Sequence, residues 1–223
     1  MQFFIEHSPV FTTLRLQLEK GESFKAEAGA MISMSPTISL EAKMSNKSVF
    51  GALKAVVGGE SFFGTVFTAE GGAGELVLGP GSPGDILQMQ LNNQTIFAQA
   101  GAYLAGGTDL VLSAQGSAKA LMSGEGLFLS KISGTGLLFL NSYGSIYTKE
   151  LRQDETYVVD TGHIVAFEET VSYKIQKAAK GIFSTLASGE GLVCEYKGPG
   201  KIWIQTRNIS ALAKLLAPFI VKS

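Results

Sequence analysis

Three glutamates that each follow a glycine are the residues whose type and spacing could do chemistry. Glu60, Glu125 and Glu190 recur at intervals of 65 residues. Three equivalent carboxylates brought together could bind a hard cation or a small ligand through their oxygen atoms. Alternatively, each glutamate stabilises a turn that was copied with the rest of its segment. The spacing makes these three residues candidates for ligand binding, with the structural turn as the competing interpretation.

The two histidines give a second, smaller set of candidates. His163 stands where the related segments carry Ala30 and Ala102, so it is a candidate ligand-binding residue present in one copy only. Metal and acid–base roles need further histidine or carboxylate groups on converging elements. The alternative is a tolerated side chain on a strand, and His7, which precedes Ser-Pro, is expected in a solvated turn. We predict no catalytic residue, no metal site and no cofactor, and hence no enzyme.

Composition and charge limit the remaining function classes. The net charge is −1 and no basic block occurs, so nucleic acid is not an expected partner. No Gly-x-Ser-x-Gly elbow and no phosphate-binding Gly-Lys-Ser/Thr loop are present. The single cysteine, Cys194, alternates with Leu192 and Tyr196, which predicts a buried apolar thiol. The absence of a signal peptide and of an 18-residue apolar run predicts a cytoplasmic protein.

Internal similarity predicts that the glutamates are positioned by three copies of one unit. A glycine between two β-prone runs precedes each glutamate, at Gly29, Gly101 and Gly162. Two motifs in the same order, three times, indicate a repeat. The predicted units span residues 1–86, 87–151 and 152–208, followed by a C-terminal amphipathic helix over 209–223. All are expected to form one assembly around a shared interior.

Each unit shows the same local pattern. Apolar residues alternate with polar ones in strands such as Leu14-Leu16-Leu18, and the 27 glycines indicate many turns. Short connecting helices are predicted over 47–57, 117–122 and 178–187. Each unit then closes with a hairpin whose tip lies at 71–72, 134 or 198–200. The predicted fold is mainly β, with three internally repeated lobes of β-sandwich or double-stranded β-helix type.

The segment after residue 208 differs from the repeats. Its apolar residues recur at helical spacing, and its single internal Lys214 lies on the other side. The apolar side of the helix could pack on the chain's own β core, on another subunit or on a membrane surface. The candidate contact residues for a partner or oligomer are Ile209, Leu212, Leu216 and Phe219.

The motifs resemble those of a known family. The Gly29-Ala30 motif, the two Ser-Gly-Glu-Gly-Leu segments at 123–127 and 188–192, and the ending Gly-Pro-Gly-Lys-Ile-Trp-Ile-Gln-Thr-Arg at 198–207 are similar to the mitochondrial-biogenesis family. That family is named for altered inheritance of mitochondria and has an uncharacterised prokaryotic branch. The resemblance covers about residues 1–208. It implies a β fold similar to the tryptophan RNA-binding attenuation protein, which favours ring assembly, and it supplies no catalytic residue.

These observations predict a non-enzymatic scaffold or interaction protein. Self-association is expected, together with an unidentified protein partner or a peripheral contact with a membrane face. The alternative is a small-ligand or metal-binding module with a pocket between β lobes.

Overall fold

A computed structural model describes residues 1–43, 64–115, 128–177 and 192–220. Within these ranges the chain is mainly β, the strands pair antiparallel, and a short helix follows the last strand. The predicted fold class is therefore confirmed. The three predicted connecting helices lie outside the described residues.

The strands form where apolar and polar residues alternate or where both faces are apolar. In the predicted strand around Leu16, every second residue is fully buried, namely Leu14, Leu16 and Leu18. Burial of one face at period two is the expected result for a half-covered strand. The first strands are β1 (Gln2–Glu6), β2 (Thr13–Leu18), β3 (Ser23–Glu27), β4 (Met31–Met34), β5 (Ser39–Lys43), β6 (Gly64–Thr68) and β7 (Gly74–Leu78).

Two long strands dominate the middle of the chain and shorter ones complete it. The middle strands are β8 (Ile86–Gln99), β9 (Tyr103–Gly107), β10 (Val111–Gln115) and β11 (Leu129–Asn141). The last strands are β12 (Ile146–Leu151), β13 (Thr156–Asp160), β14 (Ile164–Glu168), β15 (Ser172–Lys177), β16 (Leu192–Lys197) and β17 (Gly200–Gln205).

The same three-stranded arrangement occurs three times in the described residues. A central strand lies between two neighbours as β5-β6-β3, as β10-β11-β8 and as β15-β16-β13. In each case one residue of the central strand lies opposite a paired residue of both neighbours. These residues are Thr68 opposite Ser23 and Ser39, Ser133 opposite Thr95 and Val111, and Lys197 opposite Thr156 and Ser172.

The predicted hairpins are wrong. β6 pairs with β3 and β5, whereas β7, on the other side of the glycine tip, pairs with β2 and β4. β16 and β17 likewise belong to different sheets. In the middle of the chain Gly134 is not a tip, because it lies within the continuous strand β11, where the register to β8 shifts between Gly134 and Thr135. The tips carry the chain from one sheet to another.

Two further strand pairs build one large sheet, which contains the first two arrangements but not β13-β16-β15. β3 pairs with β9, and the C-terminal part of β8 pairs with β14. The resulting ten-stranded sheet runs in the order β12-β17-β14-β8-β11-β9-β3-β6-β5, with β10 paired to β11. A four-stranded sheet, β1-β2-β7-β4, and a three-stranded sheet, β13-β16-β15, accompany it. The predicted division at residues 86, 151 and 208 stays a prediction.

Three apolar clusters form the interior. Their buried members include Leu14, Leu76 and Phe139 in the first, Leu91, Leu138 and Trp203 in the second, and Phe167, Cys194 and Tyr196 in the third. Cys194 is fully buried, as predicted from its alternation, and burial raises the pKa of its thiol. A buried thiol of raised pKa is a packing residue rather than a nucleophile.

The predicted C-terminal helix is present as α1 (Ile209–Leu216), followed by a 3₁₀ turn (Ala217–Phe219). Asn208 is its N-cap, since the side-chain oxygen of Asn208 accepts hydrogen bonds from the N–H groups of Ser210 and Ala211 at 2.9 and 3.3 Å. No residue of α1 is buried. Docking of its apolar side on the chain's own β core is therefore wrong for the exposed Ile209, Leu216 and Phe219. Within the described ranges, no helix is long and apolar enough to cross a membrane.

Candidate functional site

The three glutamates singled out by the sequence, Glu60, Glu125 and Glu190, lie outside the described residues. Their candidacy for ligand binding stays a prediction. Among the residues that the structure does describe, no group of three or more His, Cys, Asp or Glu could hold a metal ion.

His163 lies in the turn between β13 and β14 rather than on a strand. Its N–H donates to the carbonyl oxygen of Asp160 at 2.9 Å. Its ring Nδ1 lies 2.9 Å from the carbonyl oxygen of Gln205, on the last strand. These two contacts fasten the turn to the neighbouring strand. The candidacy of His163 for ligand binding stays a prediction.

A polar pocket forms beside two of the glycine turns. It encloses about 330 Å³ and is lined by residues from the turn at Gly101, the turn at Gly162 and the end of β3. The segments that follow β7, β11 and β17 supply the rest of the wall. Its polar side chains include Glu27, Gln99, Asn141, Gln205 and Asn208.

Most of the amide side chains in this pocket are used to hold the backbone. Asn141 donates from Nδ2 to the carbonyl of Gly101 at 3.2 Å. Gln205 donates from Nε2 to the carbonyl of Gly162 at 2.9 Å and accepts at Oε1 from the N–H of Tyr143 at the same distance. These bonds fix the two glycine turns to the strands that follow them, so the wall of the pocket is preorganised.

The beginning of α1 forms one side of the pocket, and Ile209 and Ser210 line it. The first free N–H groups of α1 are already bonded to Asn208. A side chain at Gly162 would place its Cβ 2.1 Å from Nδ2 of Asn208, so the cap packs directly on the backbone of the turn. This contact holds the beginning of the helix beside the pocket.

Glu27 is the charged residue of the pocket. It is half-buried, and burial raises the pKa of its carboxyl group above the ordinary value. In the described part of the chain, its carboxylate makes no hydrogen bond. The phenol of Tyr103 lies near enough for Glu27 to add to the effect of burial, and both raise the pKa of Tyr103.

The pocket lining offers hydrogen-bonding groups to a ligand. The lining holds one carboxylate and several amides, without a nucleophile paired to a base. A carboxylate with unused acceptor capacity favours a ligand that carries an amine or other hydrogen-bond donors.

The sequence prediction missed these pocket residues, although a signal for them was present. A polar residue stands two positions before each turn glycine, as Glu27, Gln99 and Asp160. The first two line the pocket. Asp160 instead accepts a hydrogen bond from the N–H of Gly162 at 2.7 Å, so its carboxylate is bonded within its own turn. The sequence shows the recurring polar position. Which of the three side chains is available to a ligand depends on the hydrogen bonds that form when the turns fold.

Comparison with known proteins places this architecture among proteins without a described activity. The family model described as mitochondrial biogenesis AIM24 matches residues 3–207. An uncharacterised protein of Streptococcus pyogenes serotype M6 is 32% identical over 233 aligned positions, which cover 100% of this chain and 92% of that protein. A crystal structure of a Streptococcus pyogenes protein from a structural genomics consortium is similar with a TM-score of 0.83 and 29% identity, covering 98% of this chain and 99% of that one.

Proposed function

The chain belongs to the mitochondrial biogenesis AIM24 family, and we propose that it is a non-enzymatic scaffold that self-associates and binds a protein partner through its C-terminal helix. The supporting observation is the exposed apolar side of α1 and of the 3₁₀ turn after it. Large apolar side chains there face solvent, with 54% of Ile209, 66% of Leu215 and 78% of Phe219 exposed.

Helical geometry gathers these side chains into one surface. At 100° per residue, Ile209, Leu212 and Leu216 share one side of the helix, and Leu215 and Phe219 flank it, whereas Ser210 and Lys214 lie opposite. Burying a Leu, Ile or Phe side chain stabilises by about 1.5–3 kcal/mol. Covering several of these side chains would therefore contribute more binding free energy than any single polar contact.

A protein surface suits this helix better than a membrane face. Helices that lie on membranes carry many Lys and Arg residues on the polar side. Among the described residues of α1 and the following turn, Lys214 is the one basic residue. We therefore propose a protein as the partner. The experiment must distinguish protein binding from lipid binding, which is the alternative.

The experiment compares three immobilised proteins against a lysate of the source cells. They are the full chain, the double variant Leu216→Ser with Phe219→Ser, and the control Ser210→Ala with Lys214→Gln on the opposite side. We expect the full chain and the control to retain the same proteins and the apolar variant to lose them. Equal retention by all three, or none by the full chain, contradicts the role of α1. Flotation with neutral and with anionic vesicles identifies lipid binding, which would replace the protein partner.

Small-ligand binding is the second candidate function, and the unpaired carboxylate of Glu27 favours it. A ligand with an amine or amide donor would supply the hydrogen bond that Glu27 lacks within the described residues. The test is a thermal-shift screen with free amino acids and small amines on the wild type and on Glu27→Gln. We expect the wild type alone to be stabilised by a binder. No shift with any of these compounds contradicts this function.

A further inference from the structure

Three strands, β4, β9 and β14, each follow one of the glycine turns. In the described part of the chain, β9 and β14 have partners on both edges, whereas β4 has a partner on one edge. β9 pairs with β11 and β3, and β14 pairs with β17 and β8. In the described part of the chain, β4 pairs with β7 alone. One edge of β4 is therefore open where the corresponding edges of β9 and β14 are occupied.

The strand that precedes each glycine turn shows the complementary pattern. β3 pairs with β6 and β9, and the C-terminal part of β8 pairs with β11 and β14. Within the described ranges, β13 pairs with β16 alone. Among the described strands, the edge of β13 that has no partner corresponds to the edges at which β3 pairs with β9 and β8 pairs with β14.

Both existing junctions use one register, counted from the turn glycines. The third residue before one glycine lies opposite the fourth residue after the next, as Ala26 opposite Ala105 and Ala98 opposite Ala166. The neighbouring pairs follow as Lys25 opposite Gly106 and Phe97 opposite Phe167. The rings of Phe97 and Phe167 stack with their centroids 5.4 Å apart, so side chains at this second pair are in contact.

Burial shows what the missing neighbour would cover. The register of β4, β9 and β14 to their inner partners skips one equivalent residue in each strand: Ile32, Leu104 and Val165. Leu104 and Val165 are 0% and 1% exposed, but Ile32 is 58% exposed. On β13, Tyr157 and Val158 are also exposed. Two apolar strand edges are thus open to solvent on one chain.

These open edges lack the features that prevent strands from pairing. Proteins usually protect an edge with charged residues, proline or a covering segment. The two ends of the ten-stranded sheet follow this rule, with Glu41 and Lys43 on β5 and Lys149 and Glu150 on β12. β4 reads Met-Ile-Ser-Met, and β13 carries no charge before Asp160.

From this geometry we infer that β13 of one copy pairs antiparallel with β4 of a second copy, in the register that joins the arrangements within the chain. Val159 then lies opposite Ser33, and Val158 lies opposite Met34. The inference rests on the proposed self-association and identifies the surfaces that carry it. A second copy is the occupant because one molecule carries both complementary edges, and among its described strands neither edge has a partner. Contacts of this head-to-tail kind form closed rings or open filaments.

Disulfide trapping between two differently tagged variants tests the register. Directly opposed Cβ atoms in an antiparallel pair are about 4.5–5.5 Å apart, close enough for a disulfide after a small adjustment. Met34→Cys is mixed with Val158→Cys under mild oxidation. The matched control mixes Met34→Cys with Thr156→Cys, an exposed position two residues further along β13. The wild-type chain controls for its own Cys194.

We expect a mixed dimer that carries both tags from the first mixture and at least tenfold less from the control. Equal yields from both mixtures would overturn the register. A chain that carries both cysteines and closes on itself at high dilution would overturn the second copy as the occupant. If no disulfide forms but light scattering finds an oligomer, the edge pairing is wrong and self-association stands. If no disulfide forms and the protein is monomeric, both fail.

Discussion

Glu27 gives the pocket a pH-dependent cost that can be measured. Burial raises the pKa of its carboxyl group above 4.5, so the folded protein holds this proton more tightly than the unfolded chain. The cost of ionising Glu27 is absent below the unfolded pKa and complete once the pH exceeds the raised folded pKa. We therefore expect Glu27→Gln to become more stable than the wild type as the pH rises from about 4 to 7.

Urea unfolding followed by the fluorescence of Trp203, the single tryptophan, gives this difference at each pH. Glu70→Gln, at an exposed carboxylate, is the control for the loss of one negative charge. A stability difference for Glu27→Gln that stays constant over the whole pH range would show that burial of this carboxyl group does not decide its effect.

Tyr196 carries a hydroxyl group that the third apolar cluster does not satisfy. Its oxygen is buried and has no hydrogen-bond partner within the described ranges, and burial, with Cys194 nearby, raises the pKa of the phenol. Because leaving a buried polar group unpaired costs about 1–3 kcal/mol, we expect Tyr196→Phe to raise the free energy of unfolding by about 1 kcal/mol. Tyr147→Phe, at an exposed ring, should change it by less than about 0.5 kcal/mol. Destabilisation by Tyr196→Phe in urea unfolding would mean that the hydroxyl is paired.

At the scale of elements, the connection between β7 and β8 runs beside the one between β11 and β12 at very short range. Gly84 forms a parallel bridge with Gly144, and a Cβ at Gly84 would lie 1.8 Å from the carbonyl oxygen of Ser142. Since backbone atoms cannot move aside cheaply, we expect Gly84→Ala to cost at least about 2 kcal/mol. Gly81→Ala, in the same connection, has no atom within 4 Å of the new Cβ and should be nearly neutral. Equal midpoints in urea unfolding for both variants would refute this close approach.

The sequence predicts individual strands well and their partners poorly. Alternation locates the buried face of β2 and the buried position of Cys194, because each depends on side-chain period alone. The glycine tips after β6 and β16 indicate a reversal of the chain, yet they connect strands of different sheets. Partner choice depends on burial between segments far apart in the chain, which local spacing does not encode.

The same reasoning applies to the candidate site. Asn141, Gln205 and Asn208 enter the pocket from segments that follow different strands, so no local motif unites them. The position before each turn glycine was visible as a recurring polar residue. Folding then distinguishes Glu27, which keeps a carboxylate without a described partner, from Asp160, which bonds within its own turn.

For the whole molecule, the two junctions within the chain and the two open edges describe one kind of contact. The junctions β3–β9 and β8–β14 bury equivalent residues, and β4 and β13 carry the unpaired halves of a third. Each copy would therefore extend a sheet of the next copy through the same kind of strand pairing that joins β3 to β9 and β8 to β14. Such an assembly presents the C-terminal helix many times, which raises the avidity of any partner that binds α1.

Val158→Lys tests whether these edges hold the copies together. Pairing would remove the side chain at position 158 from solvent, and a buried charge without a partner is costly. We expect the dissociation constant for self-association to rise at least tenfold, about 1.4 kcal/mol, as measured by light scattering over a dilution series. Val111→Lys on the exposed edge strand β10 makes the same chemical change and should leave the constant unaltered. If both variants associate like the wild type, the copies meet elsewhere. If Val158→Lys instead lowers the melting temperature at concentrations where the protein is monomeric, β13 and β4 pair within one chain.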